Sequence, residues 1–138
     1  MKLVIDIGNS LVKVGIFQKK KLLRSKEIKS LNLTEIKMFV GKQKITRSIV
    51  SSVKEKDNDV LEVINYYQAL FLDEHLPVPV QVNYDTPFSL GKDRLAGVIA
   101  ASYLYKAKNS LVLDFGTCLT ADFINNKKEY IGGRISPG

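Results

Sequence analysis

The string "LVIDIGNS" at residues 3–10 returns as "LVLDFGTC" at residues 111–118. Leu3 matches Leu111, Val4 matches Val112, Asp6 matches Asp114 and Gly8 matches Gly116, while Ser10 and Leu11 match Cys118 and Leu119. An apolar run with β-branched members, stopped by a glycine turn, is the pattern of a buried strand. A carboxylate at the end of that strand, with glycine two residues on, suits a tight turn that brings backbone close to something. A single Asp-x-Gly is an ordinary turn, because both residues favour turns. Two copies with matching flanks, each opening a hairpin, point instead to two related halves whose turns face each other across a cleft.

Such turns have a definite chemistry. Their backbone N–H groups and the side chains of Asn9 and Ser10, or of Thr117 and Cys118, can donate to phosphate oxygens. Asp6 and Asp114 cannot meet a phosphate bare, since both are anions, so a cation belongs between them. Oxygen ligands of this kind suit Mg²⁺ or a monovalent cation. Neither GxxxxGK[ST] nor GxGxxG occurs, which excludes a Walker A loop and a dinucleotide fingerprint.

The rest of the chain supplies the scaffold. "LVKVGIF" alternates as a strand returning from the first turn, and "KLLRSKEIKS" reads as a third strand. "NLTEIKMFVGKQ" has an N-cap candidate in Asn32 or Thr34 and a stop at Gly41, so it predicts a short helix. "ITRSIVSSV" is strand-like. "DNDVLEVINYYQALF" places Val60, Leu61, Ile64, Tyr67 and Leu70 near helical spacing and predicts an amphipathic helix through Phe71. Pro77 and Pro79 force "PVPVQVNY" to be extended. "LGKDRLAGVIAASYLY" predicts a helix with small residues for close packing. "SLVLDFG", "CLTADFIN" and "YIGGRISPG" are three further strands, with a turn at "NNKKE". Three antiparallel strands followed by alternating helix and strand imply a mixed α/β sheet covered by helices. The repeat divides the chain at 1–108 and 109–138, the second part being the beginning of another half.

Composition narrows the partners. Of 138 residues, 45% are hydrophobic and 25% charged, which supplies a core. No apolar run approaches the ~20 residues of a membrane helix, and the N-terminus lacks the layout of a signal peptide. A lone cysteine, Cys118, excludes an internal disulfide framework. These features predict a cytoplasmic protein without a membrane partner. The net charge of +7 raises the question of nucleic acid. The basic residues are scattered, however, and the densest run, "QKKKLLR", reads as a solvated hairpin tip. No nucleic-acid partner is expected; the lysine excess favours small anionic ligands through the long-range field.

"DIGNS", "GKDR", "DFGTCLTAD" and "GGRISPG", in that order, make the chain resemble type III pantothenate kinase, of the sugar kinase, Hsc70 and actin superfamily. The resemblance spans the whole chain. It implies phosphorylation of pantothenate by ATP, the first step of coenzyme A synthesis. It also implies an RNase H-like, actin-like ATPase core, a homodimer, and Mg²⁺-ATP with a monovalent cation, K⁺ or NH₄⁺. Residue by residue, Asp6, Ile7, Gly8, Asn9, Ser10, Leu11, Val12 and Lys13 match the first ATP-phosphate segment, with Asp6 a Mg²⁺ ligand through water. Thr117 matches a second ATP contact. Tyr84, Gly91, Lys92, Asp93 and Arg94 match the pantothenate-binding positions. Asp93 falls on the proton acceptor and Asp114 on the monovalent-cation ligand. Family chains run on beyond the "GGRISPG" segment into a lobe that carries the adenosine pocket and much of the dimer surface.

The physical reading of "GKDR" agrees. A kinase acting on a primary hydroxyl needs a carboxylate within hydrogen-bond reach of it, and Asp93 near a helix start is suited to that. Arg94 could clamp a polar or anionic part of the substrate. His75, the only histidine, has no evident acid–base partner and reads as surface; Cys118 reads as turn filler. An alternative function is a catalytically inactive nucleotide-binding or transcription accessory protein of the same fold. The joint presence of Asp6, Asp93 and Asp114 favours the kinase.

Overall fold

The computed structural model describes residues 1–54, 56–83, 90–116 and 118–137. The chain divides into two compact units, Met1–Asp73 and Glu74–Gly138. The expected repeat boundary at 108/109 lies within the second of these.

The first unit runs β1 (Lys2–Ile7), β2 (Val12–Gln18), β3 (Lys21–Ile28), α1 (Leu33–Val40), β4 (Arg47–Ser52), α2 (Asn58–Tyr67) and β5 (Leu70–Phe71). Its sheet has the order β3-β2-β1-β4-β5. The β1–β2 and β2–β3 pairs are antiparallel, and β1–β4 and β4–β5 are parallel. Alternation along the strands fixes the faces. Leu3, Ile5 and Ile7 of β1, Val12, Val14 and Ile16 of β2 and Val50 of β4 point to one side. There they form one core with Leu33, Ile36 and Val40 of α1 and Val60 and Val63 of α2. Burying each such side chain is worth roughly 1.5–3 kcal/mol, so this layer dominates the stability of the unit. Asn32 caps α1 by accepting from the Glu35 amide at 3.1 Å, and Asp57 caps α2 through the Val60 amide at 2.9 Å.

The second unit runs β6 (Gln81–Val82), α3 (Lys92–Leu104), β7 (Ser110–Phe115), β8 (Cys118–Ile124) and β9 (Glu129–Pro137). Its sheet order is β6-β9-β8-β7, with β6 parallel to β9 and the other pairs antiparallel. Helix α3 packs on the face that carries Val112: a Cβ built on Gly97 would stand 3.3 Å from Val112 Cγ1. Glycine here lets helix and strand approach closely.

The expected elements appear in the expected order, with one correction. The second helix does not reach Phe71 but ends at Tyr67. Gln68 takes a left-handed conformation, φ 48° and ψ 45°, and the Ala69 amide donates back to Ile64 O at 2.9 Å. This is a Schellman-type stop. It frees Leu70 and Phe71 to pair with Ile49 and Val50 as a fifth strand. Tertiary pairing overrides the helical spacing of Leu70.

Candidate active site

The first hairpin turn is closed by the Gly8 amide donating to Leu11 O at 3.0 Å. A Cβ on Gly8 would stand 3.2 Å from that same carbonyl, which is why the position favours glycine. Asn9 and Ser10 at its tip are exposed, as a phosphate contact requires, while Ile7 and Val12 anchor the turn in the core. A pocket of about 130 Å³ lies beside the turn, lined by Gly8 and Leu11 together with Lys29, Lys54 and Asp57. The two lysines bring positive charge that sequence reasoning did not single out; they are neighbours of the turn only through the fold.

Asp6 is half-buried on the sheet face opposite the core. Lys13 stands across from it on β2 and Ser51 on β4. The Ser51 hydroxyl is buried and has no hydrogen-bond partner among the described residues. A carboxylate and an unused hydroxyl in one cross-strand row fit a hard cation or one of its waters. Among the described residues, no group of three or more His, Cys, Asp or Glu gathers to form a closed metal cage.

In the second unit, the Gly116 amide donates to Cys118 O at 3.1 Å, closing the second turn. Asp114 is exposed and stands opposite Thr120. Thr117 and Tyr84 lie outside the described residues. Cys118 is a free, exposed thiol, and His75 is exposed beside Glu74.

The "GKDR" segment forms the first turn of α3. Gly91 is the N-cap and makes no side-chain cap bond. Asp93 is exposed, and its Oδ1 accepts from the Arg94 amide at 2.8 Å. A Cβ on Gly91 would lie 2.5 Å from Asp93 Oδ1, so glycine at 91 makes room for this carboxylate orientation. The helix dipole favours an anion here. Lys92 is held by Glu74, with Nζ 3.4 Å from Oε2. The Glu74 carboxyl is kept below the usual carboxylate range by its own backbone N–H and by the Lys92 ammonium.

Arg94 sits differently from its neighbours. Its side chain is 6% exposed and pairs with Asp122, itself 2% exposed. Arg94 Nε donates to both carboxylate oxygens, at 3.0 and 3.1 Å, and Nη2 donates to Oδ1 at 2.6 Å. Tyr130 completes the cluster: its hydroxyl accepts from Arg94 Nη2 at 3.2 Å and donates to Asp122 Oδ1 at 2.6 Å. Sequence reasoning quoted "LTAD" and "GGRISPG" but gave Asp122, Tyr130 and Gly133 no role.

Comparison with known proteins bears on the chemistry. The family model described as type III pantothenate kinase matches residues 2–138. A type III pantothenate kinase of Cytophaga hutchinsonii is 39% identical over the whole chain, which covers 57% of that relative. One of Christiangramia forsetii is 41% identical, with 58% of the relative covered. The chain thus spans somewhat over half the length of these curated relatives. A crystal structure of a Baf family protein from Campylobacter jejuni matches 99% of the chain and 54% of its own, with TM-score 0.56 and 24% identity, a likeness of fold.

Proposed function

Because the chain belongs to the type III pantothenate kinase family, we propose that it forms part of an enzyme that transfers the γ-phosphoryl group of ATP to pantothenate, opening coenzyme A synthesis. The observation that carries the reading is Asp93: an exposed carboxylate on the first turn of α3, held in one orientation by the Arg94 amide.

On this reading the turn from Asp6 to Lys13, with Thr117, receives the ATP phosphates. Gly91, Lys92, Asp93, Arg94 and Tyr84 form the acceptor side. Asp93 takes the proton of the substrate hydroxyl as that oxygen attacks the γ-phosphorus and ADP leaves with the bridging oxygen. Charge on the phosphates would be neutralised by Mg²⁺ bound near Asp6 and by K⁺ or NH₄⁺ bound at Asp114. The mixed sheet of the first unit, three antiparallel strands continued by parallel ones, supports an RNase H-like, actin-like half at 1–108. The β7–β8–β9 meander supports a second beginning at 109. We assign the enzyme to the cytoplasm as a homodimer; among the described residues no helix is long and apolar enough to cross a membrane.

The test is release of ADP from ATP by the full-length protein, with and without pantothenate. Pantothenate-dependent release is expected, and Asp93→Asn should lower kcat by roughly 10²–10⁴-fold with the KM for ATP nearly unchanged. ADP release indifferent to pantothenate would overturn the assignment.

A further inference from the structure

The buried Arg94–Asp122–Tyr130 cluster is a costly way to stabilise a fold. Apolar residues of similar volume commonly serve as well or better, so a buried ion pair is weak evidence for stability alone. What a bidentate guanidinium–carboxylate pair adds is geometry, since the planar fork fixes distance and rotation together. The question is what needs fixing.

Arg94 has two ends with two tasks. Its backbone N–H holds Asp93 Oδ1 at 2.8 Å, and its side chain grips β8 through Asp122. The residue that orients the carboxylate is therefore itself bolted to the sheet. Tyr130 locks the bolt by bonding both partners. It is fully buried and reaches the cluster because β9 is irregular at this point: Ile124 pairs with Tyr130 but Phe123 with Gly132. A bulge of this kind re-aims side chains. Gly133 leaves the necessary space, for a Cβ there would fall on Asp122 Oδ1, Ala121 O and Arg94 Nη2. Asp122 shares its face of β8 with Thr120, the residue opposite Asp114. The cluster thereby ties the first turn of α3 to the strand pair that presents the Asp114 turn.

We propose that Asp122 and Tyr130, acting through Arg94, are positioning residues for Asp93, and that Arg94 serves the reaction chiefly by this anchorage rather than by touching substrate. The proposal rests on Asp93 being the proton acceptor.

The experiment is a double-mutant cycle in the full-length enzyme, with single-turnover assays where activity is low. Tyr130→Phe keeps the ring in the core and removes only the hydroxyl. Arg94→Lys keeps the charge and loses the fork. With Asp93 present, each should lower kcat, Tyr130→Phe by about tenfold and Arg94→Lys by up to ~10²-fold, the scale of a small misplacement. The KM for ATP should hold. In the Asp93→Asn background the same changes should cost almost nothing further, because there is no longer a base to misplace. Equal losses in both backgrounds would make the cluster merely structural and overturn the proposal. So would an unchanged kcat in Tyr130→Phe, or an Arg94→Lys effect confined to the KM for pantothenate. If Arg94→Lys does not fold, Tyr130→Phe decides. Near-normal turnover by Asp93→Asn alone would instead remove the proton-acceptor reading, and this proposal with it.

Discussion

The hairpins β1–β2 and β7–β8 start from nearly the same residues and are completed in opposite ways. In the first, Leu3, Ile5 and Ile7 form the floor of the core under α1 and α2. Their counterparts in the second, Leu111, Leu113 and Phe115, are exposed, Phe115 by 78%. Helix α3 lies instead on the Val112 side, the side that carries Asp114. The turns differ too. Ile7 pairs with Val12 across the first turn, but Phe115 pairs with Leu119 across the second. The second turn is one residue tighter, so the return strand slips by one position. Asp6 faces Lys13, whereas Asp114 faces Thr120. A repeated motif therefore fixes the strand and its carboxylate, while turn length and the covering layer decide what that carboxylate meets.

The sharpest break of this comparison is in stability. Ile5 is 1% exposed and Leu113 is 50% exposed. In the 138-residue polypeptide, Ile5→Ala should cost about 2–5 kcal/mol by urea denaturation, and Leu113→Ala no more than about 0.5 kcal/mol. Equal losses would show that the Leu113 face is covered in solution as well.

A second experiment separates the carboxylates. In the full-length enzyme, Asp114→Asn should raise the K⁺ concentration for half-maximal activity on the order of tenfold, about 1.4 kcal/mol, by removing a charged ligand. Asp6→Asn should do the same to the Mg²⁺ requirement and leave the K⁺ response in place. Activity equal in Na⁺ and K⁺ would remove the role assigned to Asp114, and exchanged effects would reverse the two roles.

Much of this architecture was legible because it is written in local signals. An apolar, β-branched run marked β1 and alternation marked β2, Asn32 or Thr34 and Gly41 bracketed α1, and the Asp-x-Gly repeat located both turns. The "GKDR" segment was legible as a helix start, and Asp93 as a carboxylate placed there. What stayed hidden depends on distant pairing. The early end of α2 follows from Leu70 and Phe71 finding β4, which their helical spacing does not announce. The pairing of Arg94 with Asp122 was not legible, because that partner is far along the chain and arrives only when β8 pairs under α3. Gly133 could have been a clue: a glycine inside a strand often marks a close approach.

The smallest expected effect concerns the Glu74–Lys92 pair beside the first turn of α3. Glu74 holds Lys92, and its carboxyl is depressed below its ordinary value, first by its own backbone N–H and then by Lys92. A depressed carboxylate favours the folded state when ionised. Its contribution is present above the unfolded value and is lost as pH falls through the lower folded value. Glu74→Gln cannot titrate, so the parent and the variant should differ in stability at pH 6, with the gap closing from about pH 4.5 downward. Because the group is exposed, solvent screens the pair and the gap should be small. Raising the salt from 0.1 M to 1 M shortens the screening length from about 10 Å to about 3 Å and should shrink the Lys92 part of it further. The backbone N–H part depends less on salt. Thermal melts of both proteins over pH 3–6 at the two salt levels would measure this. A gap that widens toward acid would mean that the Glu74 carboxyl is raised rather than lowered, and that Lys92 is held by something else.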